Sequence, residues 1–271
     1  MIRLIKLSSA LGLLVLLCAS CNKHHAWVAS ETILLNDVSP IGISAVGNQI
    51  WISDGNNNRL VQIDRTGQSI GDPIEIERPM HIASTGDLLY IPSYGIDQIL
   101  IMSNNAIDTL TLQDSLDAPA AVDISGDHIA IADFYNHRVL LKSGEDWQVI
   151  GGKGKGVGQM TYPTDVQFHE DRLYVADAYN NRGQVFDKEG SHIMTFGEDQ
   201  NFNAATGIFI TDKNIILTDF EHDRVVIFDH KGRVKQILSE GLSKPADVAV
   251  IDNKLWVLNF AGKYITTYVS E

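Results

Sequence analysis

The sequence predicts an all-β fold, a six-bladed β-propeller, and three observations predict it. A strand that ends in a polar residue, followed by a short loop and a second apolar strand, recurs with its anchor at positions 54, 93, 133, 177, 219 and 259, at spacings of 39, 40, 44, 42 and 40 residues. A second landmark keeps the same register: Pro40, Pro79, Pro119, Pro163 and Pro245 each stand fourteen residues before an anchor, with Ala205 in the fifth copy. Each unit also contains four short alternating segments, as at 165–168, 172–176, 183–186 and 192–196, separated by polar or glycine-containing turns. Period-two alternation over four to seven residues marks half-buried strands. Four such strands in about 40 residues make one propeller blade.

The first twenty residues stand outside this pattern. Arg3 and Lys6 precede an apolar stretch over 7–17, shorter than the roughly 20 residues that cross a bilayer, so the segment reads as an export signal. Ala19 and Ser20 directly before Cys21 resemble the lipobox of bacterial lipoproteins, although Cys18 stands where Leu is usual. The resemblance implies that Cys21 is lipidated and becomes the first residue; cleavage near Ser20 with release of a soluble protein is the alternative. Cys18 and Cys21 are the only cysteines, so after cleavage Cys21 has no thiol to pair with and is left for anchoring. The expected organisation is a signal peptide over 1–20, a lipid-anchored tether over 21–26 and a propeller over 27–271. Lys23, His24 and His25 belong to the tether rather than to a metal site. Asn22 differs from the Asp that retains lipoproteins at the inner membrane of some bacteria, which points to the outer membrane of the cell envelope, facing the periplasm or the surface.

Charge narrows the partners. Loss of Arg3 and Lys6 with the signal moves the formal net charge from −13 to −15. Such a surface repels phosphate backbones, and no basic patch with interleaved aromatics occurs, so nucleic acid is not an expected partner.

Within the repeat, Asp and Arg lie five residues apart as Asp54 and Arg59, Asp133 and Arg138, Asp177 and Arg182, and Asp219 and Arg224; two copies, from Ser93 and from Asn259, are degenerate. A carboxylate at a strand end can accept N–H groups of the following turn, and the Arg can return to it or to carbonyls of a neighbouring blade. Asn57, Asn136 and Asn180 suit tight loops with left-handed backbone. A structural role for these Asp and Arg residues is therefore expected ahead of a ligand role. The sixth unit supplies strands at 247–251, 254–258 and 264–269 and then ends one strand short. The alternating segment 27–35 has no other partner and is expected to complete that blade, closing the ring and leaving no unpaired edge there.

The signatures of WD40 and kelch repeats are absent. The Asp–x–x–x–x–Arg core preceded by Pro–x–Gly/Asp–apolar resembles the NHL repeat instead, over residues 40–269. The glycine-rich run 151–158, followed by Gln159-Met160-Thr161-Tyr162-Pro163, is similar to the crossing between blades common in NHL proteins. It lacks the Lys-Ser or Lys-Thr of a phosphate loop and leads into a strand, so a long loop between blades three and four is expected.

Two sets of residues are candidates for function. Two residues after each Pro landmark the strand nearest the axis reads Gly42, His81, Ala121, Asp165, Gly207 and Asp247. If these side chains face inward, His81, Asp165 and Asp247 converge from blades two, four and six. Such a set suits a divalent cation, carboxylates favouring calcium and imidazole favouring zinc. The alternative, given that Pro–x–Asp–Val is frequent in NHL-like repeats, is that the Asp residues bond backbone groups or water. Directly after the anchors come Tyr94, Phe134, Tyr135, Tyr179, Phe220 and Phe260, which are either a ligand-binding rim or rings packed between blades.

Enzymes on similar propellers set a test. The peptide-amidating lyase relatives of NHL proteins use several histidines around a channel metal, whereas here only His81 takes a channel place; His128, His137, His169, His192, His222 and His230 map to turns or outer segments. No inner-strand Glu of the kind lactonase-like propellers need is found, nor a Gly-x-Ser-x-Gly elbow. The leading expectation is a monomeric, lipid-anchored scaffold that binds an envelope protein, peptide or glycan. The alternative is a metal-dependent lyase or hydrolase acting in the channel.

Overall fold

A computed structural model describes residues 26–104 and 106–271. The export segment, Cys21 and the tether residues Lys23, His24 and His25 lie outside the described residues.

The alternating segments form six four-stranded antiparallel sheets. In blade four the chain runs outward from the axis through Pro163–His169, Arg172–Asp177, Arg182–Asp187 and His192–Phe196. Blades one to five each use four consecutive strands. Blade six takes Pro245–Ile251, Lys254–Asn259 and Tyr264–Ser270 from the C-terminal end and, as its outermost strand, Trp27–Leu34 from the N-terminal end. The expected closure is therefore present, with Trp27 opposite Ser270 and Ile33 opposite Ile265. Because strand side chains alternate between faces, Ile33 packs with Ile50, Ile63, Leu258 and Ile265 between blades six and one, while Leu34 points outward at 71% exposure. Apolar layers of this kind fill the spaces between neighbouring blades; between three and four the layer includes Leu141, Met160, Phe168 and Phe186.

The repeated Asp carboxylates bond the backbone and the repeated Arg, but their backbone donors differ from the expectation. The Oδ1 atoms of Asp54, Asp133, Asp177 and Asp219 accept the N–H groups of Ser39, Asp117, Thr161 and Asn203 at 2.7–2.8 Å. These donors lie fifteen or sixteen residues upstream, not in the following turn. The second strand of a blade runs antiparallel to the first, so its end lies beside the segment that enters the first, where N–H groups still lack ladder partners. The Oδ2 atoms accept Nε of Arg59, Arg138, Arg182 and Arg224 at 2.7–2.9 Å. Each guanidinium then reaches a carbonyl of the entering segment: Asp37, Ser115, Gly156 and Gln200 respectively. In blade six Asn259 makes the same upstream contact, to Ser243, without a charge.

The glycine-rich run is the loop between blades three and four. Gly151, Gly152, Gly154 and Gly158 have positive φ, and the carbonyls of Lys155, Gly156 and Gln159 close over the Arg182 guanidinium.

The closing strand yields a direct test. Ile33→Ala should destabilise the protein by about 2–4 kcal/mol through loss of buried contacts, and Leu34→Ala should change stability by less than about 0.5 kcal/mol. Urea denaturation of the two variants distinguishes this register from one shifted by a single residue, which would reverse the order.

Candidate functional site: a polar cup on the axis

The inner strands begin at Pro40, Pro119, Pro163, Ala205 and Pro245, and in blade two Pro79 bridges Ser93 ahead of the short strand Ala83–Thr85. His81 sits in that break. It forms a parallel bridge with Ala121 and donates its N–H to the Ala120 carbonyl at 3.0 Å, so the chain entering blade two lies against the inner strand of blade three. Two glycines permit equally close approach elsewhere around the ring. A Cβ on Gly42 would lie 2.5 Å from the Met80 carbonyl oxygen and 2.7 Å from His81 Cα; one on Gly207 would lie 2.6 Å from the Ala246 carbonyl oxygen and 2.7 Å from Asp247 Cα. No side chain fits at either place, so blades one and five leave the axis to their neighbours.

The expected trio meets there. His81 Nδ1 is 3.5 Å from Asp247 Oδ2 and 3.7 Å from Asp165 Oδ2, and all three residues are buried. Backbone donors hold both carboxylates. Asp165 accepts N–H groups from Val166 (2.8 Å) and, across to the next blade, Ile208 (2.7 Å). Asp247 accepts those of Val248 (2.8 Å) and Ile43 of blade one (2.9 Å). The backbone-bonding reading of these Asp residues therefore holds alongside their convergence. His81 Nδ1 is buried without a hydrogen-bond partner. Burial alone would lower the pKa of this imidazole, but the two facing carboxylates outweigh it and raise the value to about 9. Burial raises Asp165 above the usual carboxylate range, against the attraction of His81.

From this floor a cavity of about 260 Å³ extends along the inner strands toward their C-terminal ends. Its walls add Ser44, Ser84, Asp123, Gln167 and Phe209. Asp123 accepts the Phe168 N–H at 2.6 Å and has no cationic partner among the described residues. Burial pushes its pKa up to about 7. Gln167 accepts the Ile210 N–H at 2.7 Å, and Ser44 bonds Ser84 at 2.9 Å. Asp123, Gln167 and Ser44 are absent from the residues singled out by sequence, yet each lies four positions after its Pro landmark. The period-two rule that selects Asp165 selects them too; Ser84, at an odd offset, escapes it.

The aromatic set lies on the opposite face, where the inner strands begin. Four of its members cluster: Phe134 is 6.2 Å from Tyr94, 5.1 Å from Tyr135 and 6.5 Å from Tyr179, centroid to centroid. A fifth ring, Tyr162, joins them at 4.8 Å from Phe134 and 5.0 Å from Tyr179. It directly precedes Pro163 and has positive φ, a position that sequence reading passes over. The rings differ in burial: Phe134 packs onto the layer between blades three and four, while Tyr135 and Tyr179 are 48% and 61% exposed. Phe220 and Phe260 form a separate pair at 5.8 Å. The rim and the axial cup thus open on opposite faces. Among the described residues, none of the other six histidines lines the cup; His128 and His169 lie in strands beside hairpin turns, not in turns or outer segments, and His169 stacks on His230.

The fold and the axial site define a six-bladed β-propeller. No protein-family model and no curated protein matches the sequence. Solved structures do match in shape. A virginiamycin B lyase from Staphylococcus aureus is 12% identical with a TM-score of 0.66, covering 90% of this chain and 99% of that one. A streptogramin B lyase is 13% identical with a TM-score of 0.67, covering 90% and 98%. A chain of a nidogen/laminin complex is 15% identical with a TM-score of 0.60, covering 73% and 79%. At these identities the likeness shows the fold.

Asp123 gives a pH prediction. Its pKa is higher folded than unfolded, so its contribution to stability is complete below about pH 4 and is lost as pH rises through about 7. Asp123→Asn keeps an acceptor for Phe168 and should remove this loss, leaving the variant more stable than the parent at pH 8 by up to about 4 kcal/mol. Denaturant midpoints across pH 4–8 provide the check, and parallel profiles for the two proteins would contradict it.

Proposed function

We propose that the protein is an NHL-type binding scaffold of the bacterial cell envelope, monomeric and lipid-anchored through Cys21. The aromatic face takes a protein, peptide or glycan partner. The observation that carries this reading is the five-ring cluster of Tyr94, Phe134, Tyr135, Tyr162 and Tyr179, with two tyrosines exposed at its surface. Tyrosine offers a large apolar contact with few rotatable bonds and a polar tip, which suits recognition at a wet surface. The position of the N-terminal strand supports the anchor. Trp27 lies on the outermost strand of blade six, so a tether leaves from the rim of the disc and both faces stay free. The nidogen/laminin propeller shows that this fold occurs within protein complexes.

A second reading, a metal-dependent lyase or hydrolase, is favoured by the buried His81, Asp165 and Asp247 at the floor of the cup, and two of the similar structures are lyases.

Two measurements test the scaffold. Cys21→Ser should abolish lipid labelling and release the protein from the membrane fraction. Tyr135→Ala combined with Tyr179→Ala should weaken binding to isolated envelope material by roughly tenfold or more, in line with aromatic hot spots, while His81→Gln leaves binding intact. Unchanged binding by the double tyrosine variant would refute the aromatic face as the contact.

A further inference from the structure

We propose that His81, Asp165 and Asp247 hold one divalent cation of the zinc class, with an open coordination position facing the cup. The inference concerns the floor invoked by the second reading but does not require catalysis.

Donor spacing is the first argument. Ligands about 2.0–2.2 Å from a tetrahedral metal lie roughly 3.3–3.6 Å from one another. His81 Nδ1 stands 3.5 and 3.7 Å from the two Oδ2 atoms. These separations are long for hydrogen bonds and suited to a shared ion. The second argument is the imidazole itself. A buried nitrogen without a partner is costly in a folded protein, and His81, 5% exposed, aims such a nitrogen between two carboxylates. Third, the carboxylates are already oriented. The N–H groups of Ile208 and Ile43 fix each Oδ2 from the neighbouring blade and leave it a second lone pair, the support expected behind metal ligands.

The same contacts select the metal. Calcium takes six to eight oxygen ligands, often with bidentate carboxylates. Here Asp165 Oδ1 and Asp247 Oδ1 are engaged by their own following N–H groups, and one of the three donors is nitrogen. Three mixed donors match zinc with a vacant fourth position. Charge agrees: with the imidazole proton displaced by the metal, two carboxylates and a neutral imidazole carry −2, and among the described residues no Lys or Arg lines the cup. The cavity walled by Asp123 and Gln167 opens onto the floor, so a fourth ligand can enter from that side, as a small oxygen donor or water.

The test uses the full chain in detergent with His24→Ala and His25→Ala, which removes the tether histidines as competitors. After EDTA treatment and dialysis, Zn2+ is titrated calorimetrically and Co2+ by visible absorption. The expected result is one equivalent of each, with intense four-coordinate Co2+ bands that Zn2+ abolishes and a large excess of Ca2+ does not. His81→Gln and Asp247→Asn should each weaken Zn2+ binding by roughly 100-fold, while Asp123→Asn keeps the stoichiometry. Absence of a bound equivalent, weak six-coordinate bands, displacement by Ca2+, or an isotherm unaltered by His81→Gln would each overturn the proposal. Should a ligand variant fail to fold, the Co2+ spectrum of the parent decides alone. Zinc bound without any turnover would leave this inference standing and remove the enzyme reading.

Discussion

In four of the six blades a fully buried carboxylate captures the chain as it enters the blade, and the placement of the inner strands depends on that contact. Asp54, Asp133, Asp177 and Asp219 take an upstream backbone N–H on one oxygen and an arginine on the other. A buried carboxylate left unpaired would cost several kcal/mol. Here a neighbouring side chain three residues on, Asn57, Asn136, Asn180 or His222, adds a further contact to each charge. The clamp sets where each inner strand starts, and the start decides which residues face the axis.

The two neutral anchors are informative. Ser93 donates to the Glu77 carbonyl in place of a carboxylate clamp, and blade two has the shortest inner strand, Ala83–Thr85. His81 enters the axis through that break, bonded to blade three rather than within its own sheet. Blade six keeps the upstream contact through Asn259 and gains its fourth strand from the N-terminal end. Departures from the repeat thus coincide with the axial histidine and with ring closure, the two places where the molecule is not six copies of one unit.

Space and charge divide the molecule into two faces. Gly42 and Gly207 admit the backbones of the neighbouring blades, so only three of six inner positions carry polar side chains to the axis. The cup above them is acidic and narrow, whereas the opposite face presents tyrosines over blades two to four.

Local pattern in the sequence determined the blade count, the strand identities, the closing role of the N-terminal segment and the convergence of His81, Asp165 and Asp247. These follow from strand periodicity and from a repeat whose offset places the same position at the axis each time. The upstream donors to the anchoring Asp residues, the union of Tyr162 with the rim, and the opening of cup and rim on opposite faces were decided by the tertiary structure. The walls of the cup fall between the two: Asp123 and Gln167 obey the period-two rule, but only the packed ring shows that this stretch of the axis is a cavity rather than filled core. Those features depend on how one blade sits against the next, and no spacing within a single strand encodes that distance.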